Sequence, residues 1–229
     1  HINSFKKLLE ENDKRVNLYY MLWRRVMELI YGREVLELVG DLKELYARLT
    51  IYVTILKLLG ATILEAALGG GRYTIPLRLY LEGHREATRM FWEREALAVF
   101  NVGYLFERDE YDWVFDPNIA TQLDKFYRDA GWLLSSIDWS QGVELDLLKR
   151  VYQNIVPKEV RRQLGEYYTP DWIVQLILWR ALHIIVRESP PKDPVMGDPM
   201  QDTVNLIGEF YNRYGRIPRF VDPTCGSFT

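Results

Sequence analysis

Two short runs in this chain of 229 residues combine residue types that can hold a small charged ligand. The first is Gly165-Glu166-Tyr167-Tyr168-Thr169-Pro170, followed by an apolar stretch, 171–187, with helical spacing. Threonine is a good helix N-cap, because its hydroxyl accepts a free first-turn N–H. Proline suits the first helical position, where its missing N–H costs nothing. The pattern therefore predicts a helix capped by Thr169 with Pro170 in its first turn. That start has two readings. One is plain capping, with Asp171 adding a first-turn acid that favours the helix dipole. The other is an anion site, where first-turn N–H groups and the Thr169 hydroxyl hold a ligand carboxylate, an arrangement Asp171 would weaken. The second run is Phe220-Val221-Asp222-Pro223-Thr224-Cys225-Gly226-Ser227. Arg219–Asp222 predicts a short hydrophobic strand running into a glycine-containing turn. Open α/β sheets bind ligands just past the carboxyl ends of their strands, and Gly226 lets the backbone come close to one. Cys225 reads as a small inert thiol rather than a nucleophile, since no activating base is near it in sequence.

Other chemistry is sparse. The three histidines, His1, His84 and His183, are scattered, and no His/Cys/Asp/Glu spacing predicts a metal site. Lys149, Arg150, Lys158, Arg161 and Arg162 form a basic cluster. It reads as a solvated helix face in preference to a phosphate contact. No residue of the chain is assigned a catalytic role.

The elements that must position the two runs are helical. Apolar residues recur at helical spacing from Ser4 to about Ile30, and Gly32 ends that run. Residues 34–68 predict one or two helices with a break at Gly40-Asp41, stopped by Gly69-Gly70-Gly71. Residues 72–81 are mixed, because Pro76 opposes a helix and leaves a short extended stretch open. Helices are predicted over 83–100, 119–135 and 143–155, and the acidic, aromatic run 107–117 predicts a loop or short turn. After Pro157 the texture changes: a helix over 171–187, a proline-rich linker over 189–200, a helix over 202–214, then the strand and turn. The expected fold class is mainly α: a helical N-terminal domain, 1–156, followed by residues 157–229 as the start of an α/β domain.

Composition bounds the rest. Hydrophobic residues make up 48% and charged residues 27%, enough for a buried core. The net charge of -3 supplies no basic excess of the kind many nucleic-acid binders show. One cysteine excludes an internal disulfide framework and fits a reducing, cytoplasmic setting. No signal peptide is visible, and the start without methionine suggests processing or an added remnant. Residues 49–68 are long and apolar enough to span a membrane, but Lys57 and Glu65 interrupt them, so a buried core helix is expected and no membrane partner.

Taken together and in this order, the two runs resemble the γ-type amino-methyltransferases of DNA, the group of type I modification subunits and fused restriction-modification enzymes. That family pairs a Tyr-Thr-Pro element opening a helix with an Asp-Pro-x-Cys-Gly-Ser-Gly loop some tens of residues later. Here they stand as 165–170 and 222–227, and the preceding run, 147–164, is similar to the segment that leads into Tyr-Thr-Pro. The close likeness covers about residues 145–229. The helical block upstream is similar only in kind to the N-terminal regions of the fused enzymes.

The resemblance implies a Rossmann-like methyltransferase domain and S-adenosylmethionine as cofactor. Tyr168, Thr169 and Pro170 would contact the methionine end, with Thr169 near its carboxylate. Asp222, Pro223, Cys225 and Gly226 would form the loop around the same part. It also implies transfer of a methyl group to adenine N6, double-stranded DNA as partner, and a specificity or nuclease domain or subunit. The loop departs from the family pattern at Phe228, where glycine is usual. The chain is expected to break off after this loop, before the acidic ribose ligand and the Asn-Pro-Pro-Tyr element, and so to be inactive alone. Two alternatives stand beside this: a methyltransferase acting on RNA or protein, and a helical scaffold or interaction module without catalysis.

Overall fold

The structure is a computed structural model that describes residues 1–11, 13–69, 74–100, 106–139, 147–165, 169–189 and 199–221. Their regular elements are all helical. Contacts divide the chain into two units, His1–Gly165 and Glu166–Phe228.

The first unit begins with α1 (Ile2–Glu10) and α2 (Lys14–Tyr31). The single run expected over 4–30 is broken here, because the Asp13 carboxylate accepts from Arg15 N (2.8 Å) and Val16 N (3.4 Å) and starts a new helix. Gly32, at φ +83°, ends α2 as expected. α3 (Arg33–Val39) stops at Gly40, and Asp41 caps the long α4 (Leu42–Leu68) through Glu44 N at 3.0 Å. α4 is long and apolar enough to cross a membrane by length and composition. In this unit it is a packing helix, burying Leu45, Tyr46, Ile51 and Leu58 among others. Its Thr50, Thr54 and Thr62 hydroxyls donate to carbonyls four residues back.

Residues 75–82 form α5 (Ile75–Glu82), where the sequence left an extended stretch open. Pro76 sits in the first turn, where a helix tolerates it. The Glu65 carboxylate supplies the cap from α4, accepting from Thr74 N (2.7 Å), Thr74 Oγ1 (2.7 Å) and Ile75 N (2.8 Å). α6 (His84–Ala87) runs into a π-turn, Thr88–Trp92, and α7 (Glu95–Phe100). A 3-10 turn, Asp112–Phe115, precedes α8 (Pro117–Ala120), a second 3-10 turn, Thr121–Leu123, and α9 (Asp124–Ser135). α10 (Leu147–Ile155) and α11 (Lys158–Gln163) complete the unit.

The run 107–117, expected as a loop or short turn, is irregular around the 3-10 turn Asp112–Phe115, and that turn is buried in the core. Trp113, Val114 and Phe115 are at most 1% exposed. A buried loop must find partners for its carbonyls. Here Tyr46 Oη donates to Glu110 O, Tyr127 Oη to Val114 O (2.7 Å) and Thr88 Oγ1 to Phe115 O (3.1 Å). The domain division also falls later than the expected 156/157. Val156 and Leu164 are buried in the first core, and α11 packs on α3.

The second unit shows two described helices, α12 (Asp171–Arg187) and α13 (Pro199–Tyr214). The helix expected over 171–187 has those bounds. Residues 219–221, expected to open a strand, carry no strand pairing. A strand is defined by its ladder, and no described segment pairs with this one.

Candidate functional site

Thr169 and Pro170 lie at the start of α12, both exposed. Tyr168, Asp222, Pro223, Cys225 and Gly226 lie outside the described residues. The cap differs from expectation by one position. Pro170, at φ −58° and ψ 141°, is the N-cap, and its carbonyl accepts from Ile173 N (2.9 Å) and Val174 N (3.3 Å). Thr169 precedes the cap, because a residue before proline is pushed out of the helical region. A proline cap brings no side-chain acceptor, so the N-cap side chain leaves the first-turn N–H groups of α12 uncapped.

α12 and α13 run side by side in the same direction. Trp179 Nε1 donates to Asp202 Oδ2 at 2.7 Å, near the start of α13. Further along, Arg187 Nη2 reaches Glu209 Oε1 at 2.9 Å, and Arg213 Nη1 donates to Val186 O at 3.0 Å. The buried seam is Trp179, Leu182 and Val186 against Leu206 and Phe210. Both helices also carry apolar residues away from the seam: Ile177 and Ile184 on α12, Val204 and Tyr211 on α13, all exposed. A helix apolar on opposite sides is suited to the middle of a layered domain.

Within the first unit, two buried ion-pair groups lie where the sequence pointed to nothing chemical. Lys57 Nζ, on α4, donates to Asp112, to Asp109 Oδ2 (2.9 Å) and to Glu107 O (3.2 Å). Burial pushes the Asp112 carboxyl up to about 6, against the pull of the Lys57 ammonium. Glu86, fully buried, accepts from Arg78 Nε (2.8 Å) and Arg89 Nε (3.0 Å). The lone charged residues inside apolar sequence, Lys57 above all, were the available signal. Each of these groups is saturated by its neighbours, an arrangement that holds helices together.

The remaining candidates have local partners. His84 Nδ1 is 2.6 Å from Asp124 Oδ1, and His183 Nδ1 is 2.6 Å from Ser189 O. Of the basic cluster, Arg161 Nε donates to Val156 O at 3.3 Å, and Lys158 and Arg162 are exposed. No group of three or more potential metal ligands occurs among the described residues. Comparisons with family models, with curated proteins and with solved structures find no match.

Proposed function

We propose that this chain carries the cofactor-tail half of an S-adenosylmethionine-dependent DNA adenine-N6 methyltransferase, with a helical body in front of a Rossmann-like domain. The observation that carries the reading is the ordered pair of runs, Tyr168-Thr169-Pro170 before α12 and Asp222-Pro223-Thr224-Cys225-Gly226-Ser227 after α13. In this reading the first turn of α12, which its proline N-cap leaves without a side-chain acceptor, and the Thr169 hydroxyl receive the methionine carboxylate, and Gly226 allows the loop backbone close to the same end.

The course of the second unit supports it. Because α12 and α13 are parallel, Tyr214 ends near the carboxyl end of α12, one helix length from Thr169. That length is about 25 Å for 17 residues. The segment from Gly215 to Gly226 reaches about 36 Å when extended, which is enough to return. Such a return past a helix is the course of a strand in an α/β layer. The exposed apolar faces of α12 and α13 fit packing against one.

The chain contains no Asn-Pro-Pro-Tyr sequence to receive a flipped adenine. In this reading the chain contacts the cofactor through its methionine end, and no methyl transfer by this chain alone is expected. Saturation-transfer NMR with S-adenosylmethionine tests this. The methionine protons receive saturation and the adenine protons do not, and Thr169→Val together with Gly226→Val removes the effect. Contact through the adenine alone, or an unchanged signal in the double variant, refutes the reading. Micromolar affinity by calorimetry, or methylation of DNA by the purified chain, refutes the division of labour.

A further inference from the structure

α2 has two apolar sides. One, carrying Val16, Trp23 and Met27, is buried in the first unit. On the other, Leu18, Met21, Leu22, Arg25 and Leu29 follow one another at i, i+3, i+4, i+7 and i+11, the spacing of a single helix face. The four apolar members are exposed, Leu29 at 80%. The stripe is about 17 Å long, three helical turns. At its carboxyl end it borders a groove lined by Met21, Arg24, Arg25, Glu28, Leu29 and Arg33.

Charge selects what lies there. Three guanidiniums and one carboxylate line the groove. Glu28 is engaged by Arg24 Nε at 3.0 Å and by Arg33 Nε at 3.5 Å. Arg25, in the stripe itself, forms no ion pair with the described residues. The surface is thus apolar with a net positive centre and lacks one carboxylate. Phosphates gain nothing from leucines, and a flat anionic bilayer fits neither the concavity nor its glutamate. A second copy docked through the same face would bring Glu28 there, which already serves two guanidiniums.

We propose that the outer face of α2 docks an amphipathic helix of a partner protein, whose leucine-type residues lie along Leu18, Leu22 and Leu29 and whose Asp or Glu pairs with Arg25. This does not rest on the methyl-transfer reading, and no arm of its test involves S-adenosylmethionine.

A displayed library of helical peptides, randomised along one face, is selected against the whole 229-residue chain. The enriched peptides carry apolar residues at helical spacing and an acid at a fixed place among them. Leu29→Asp, an exposed substitution that leaves the core intact, abolishes their binding. Arg25→Glu weakens it about tenfold or more, and lysine in place of the peptide's acid restores it. The proposal is overturned if no enriched peptide is sensitive to Leu29→Asp, or if the acid is not selected. Two other results overturn it in favour of a different occupant. One is capture of the chain by phosphatidylglycerol vesicles that Leu29→Asp abolishes. The other is a dimer in sedimentation that the same variant dissolves.

Discussion

The two units differ in how completely their described residues answer their own needs. In the first, charges within the core are paired and a buried loop has its carbonyls satisfied. Among buried side-chain nitrogens and oxygens of the described residues, only the Trp23 and Trp113 indoles lack a hydrogen bond of ordinary geometry, and each lies beside a tyrosine hydroxyl, of Tyr111 and Tyr46 respectively. In the second, five residues form the buried seam, and comparable apolar side chains face outward. The ion pairs of its described residues, Arg187 with Glu209 and Asp202 and Arg213 with Glu188, are largely solvent-exposed and worth little. The lesson is that a helix pair can hold its register with only a narrow buried seam, while other apolar side chains of its described residues stay exposed. The first unit is therefore expected to be the stable one, and the second to unfold at lower denaturant.

The largest expected effect would break the first unit alone. Gly131 on α9 lies so close to α5 that an added Cβ would sit 2.4 Å from Tyr80 N and 2.7 Å from Pro76 O. These are backbone atoms and cannot swing aside. Gly131→Val forces the helices apart and costs about 3 kcal/mol or more, read from the main transition in urea. The second unit's transition stays where it was.

Next is Lys57→Met, which leaves Asp109 and the buried Asp112 facing no ammonium. Breaking a buried pair in this way costs about 3 kcal/mol, and Lys57→Met combined with Asp112→Leu recovers most of it. Protonation adds a second readout. The folded value for Asp112, about 6, exceeds the roughly 3.9 of an unfolded aspartate. The folded state thus holds this proton more tightly. The contribution is fully present below the unfolded value and lost as pH rises through 6. Urea titrations at pH 4.5 and 7 compare the chain with Asp112→Asn, and the variant loses that part of the pH dependence.

Leu206→Ala sharpens the comparison from the other side. Leu206 is fully buried in the small seam, and truncation costs about 2 kcal/mol. With little else buried among the described residues there, this erases the second unit's transition and leaves the first unaltered. The smallest effect is Asp124→Asn. Desolvation pulls the Asp124 carboxyl upward, but the His84 backbone N–H, the Arg128 guanidinium and the His84 ring outweigh it and hold it at about 2. A depressed carboxyl stabilises above its unfolded value and loses that contribution as pH falls toward 2. The variant costs about 1 kcal/mol at pH 7 and nothing at pH 2, by thermal unfolding.

Legibility followed the range of the interaction. The bounds of α12, the stop at Gly32 and the break at Gly40-Asp41 were readable, because apolar spacing, glycine and a capping acid act within a few residues. The Asp13 break in 4–30 was written the same way but hidden inside a continuous apolar rhythm. The cap at Pro170 in place of Thr169 turns on proline's effect on its predecessor, a competition between two local rules. The helix at 75–82, which the mixed run 72–81 leaves open, and the burial of the turn within 107–117 depend on partners of longer range. Glu65 caps the first from ten residues away, and Tyr46 and Tyr127 make the second buriable from distant helices. Of the proposed cofactor residues, Thr169 and Pro170 can be located at the start of α12. Tyr168, Asp222, Pro223, Cys225 and Gly226 rest on sequence.

What the sequence determined by itself is the mainly helical character, through periodicity and punctuation, and the two ordered runs that suggest a ligand. What only the tertiary structure decided is which charges are buried together, where the chain divides, and that α12 and α13 run in parallel. The physical reason is separation: Lys57 meets Asp112, and Trp179 meets Asp202, only after the intervening chain has been folded back, and no local propensity encodes that closure.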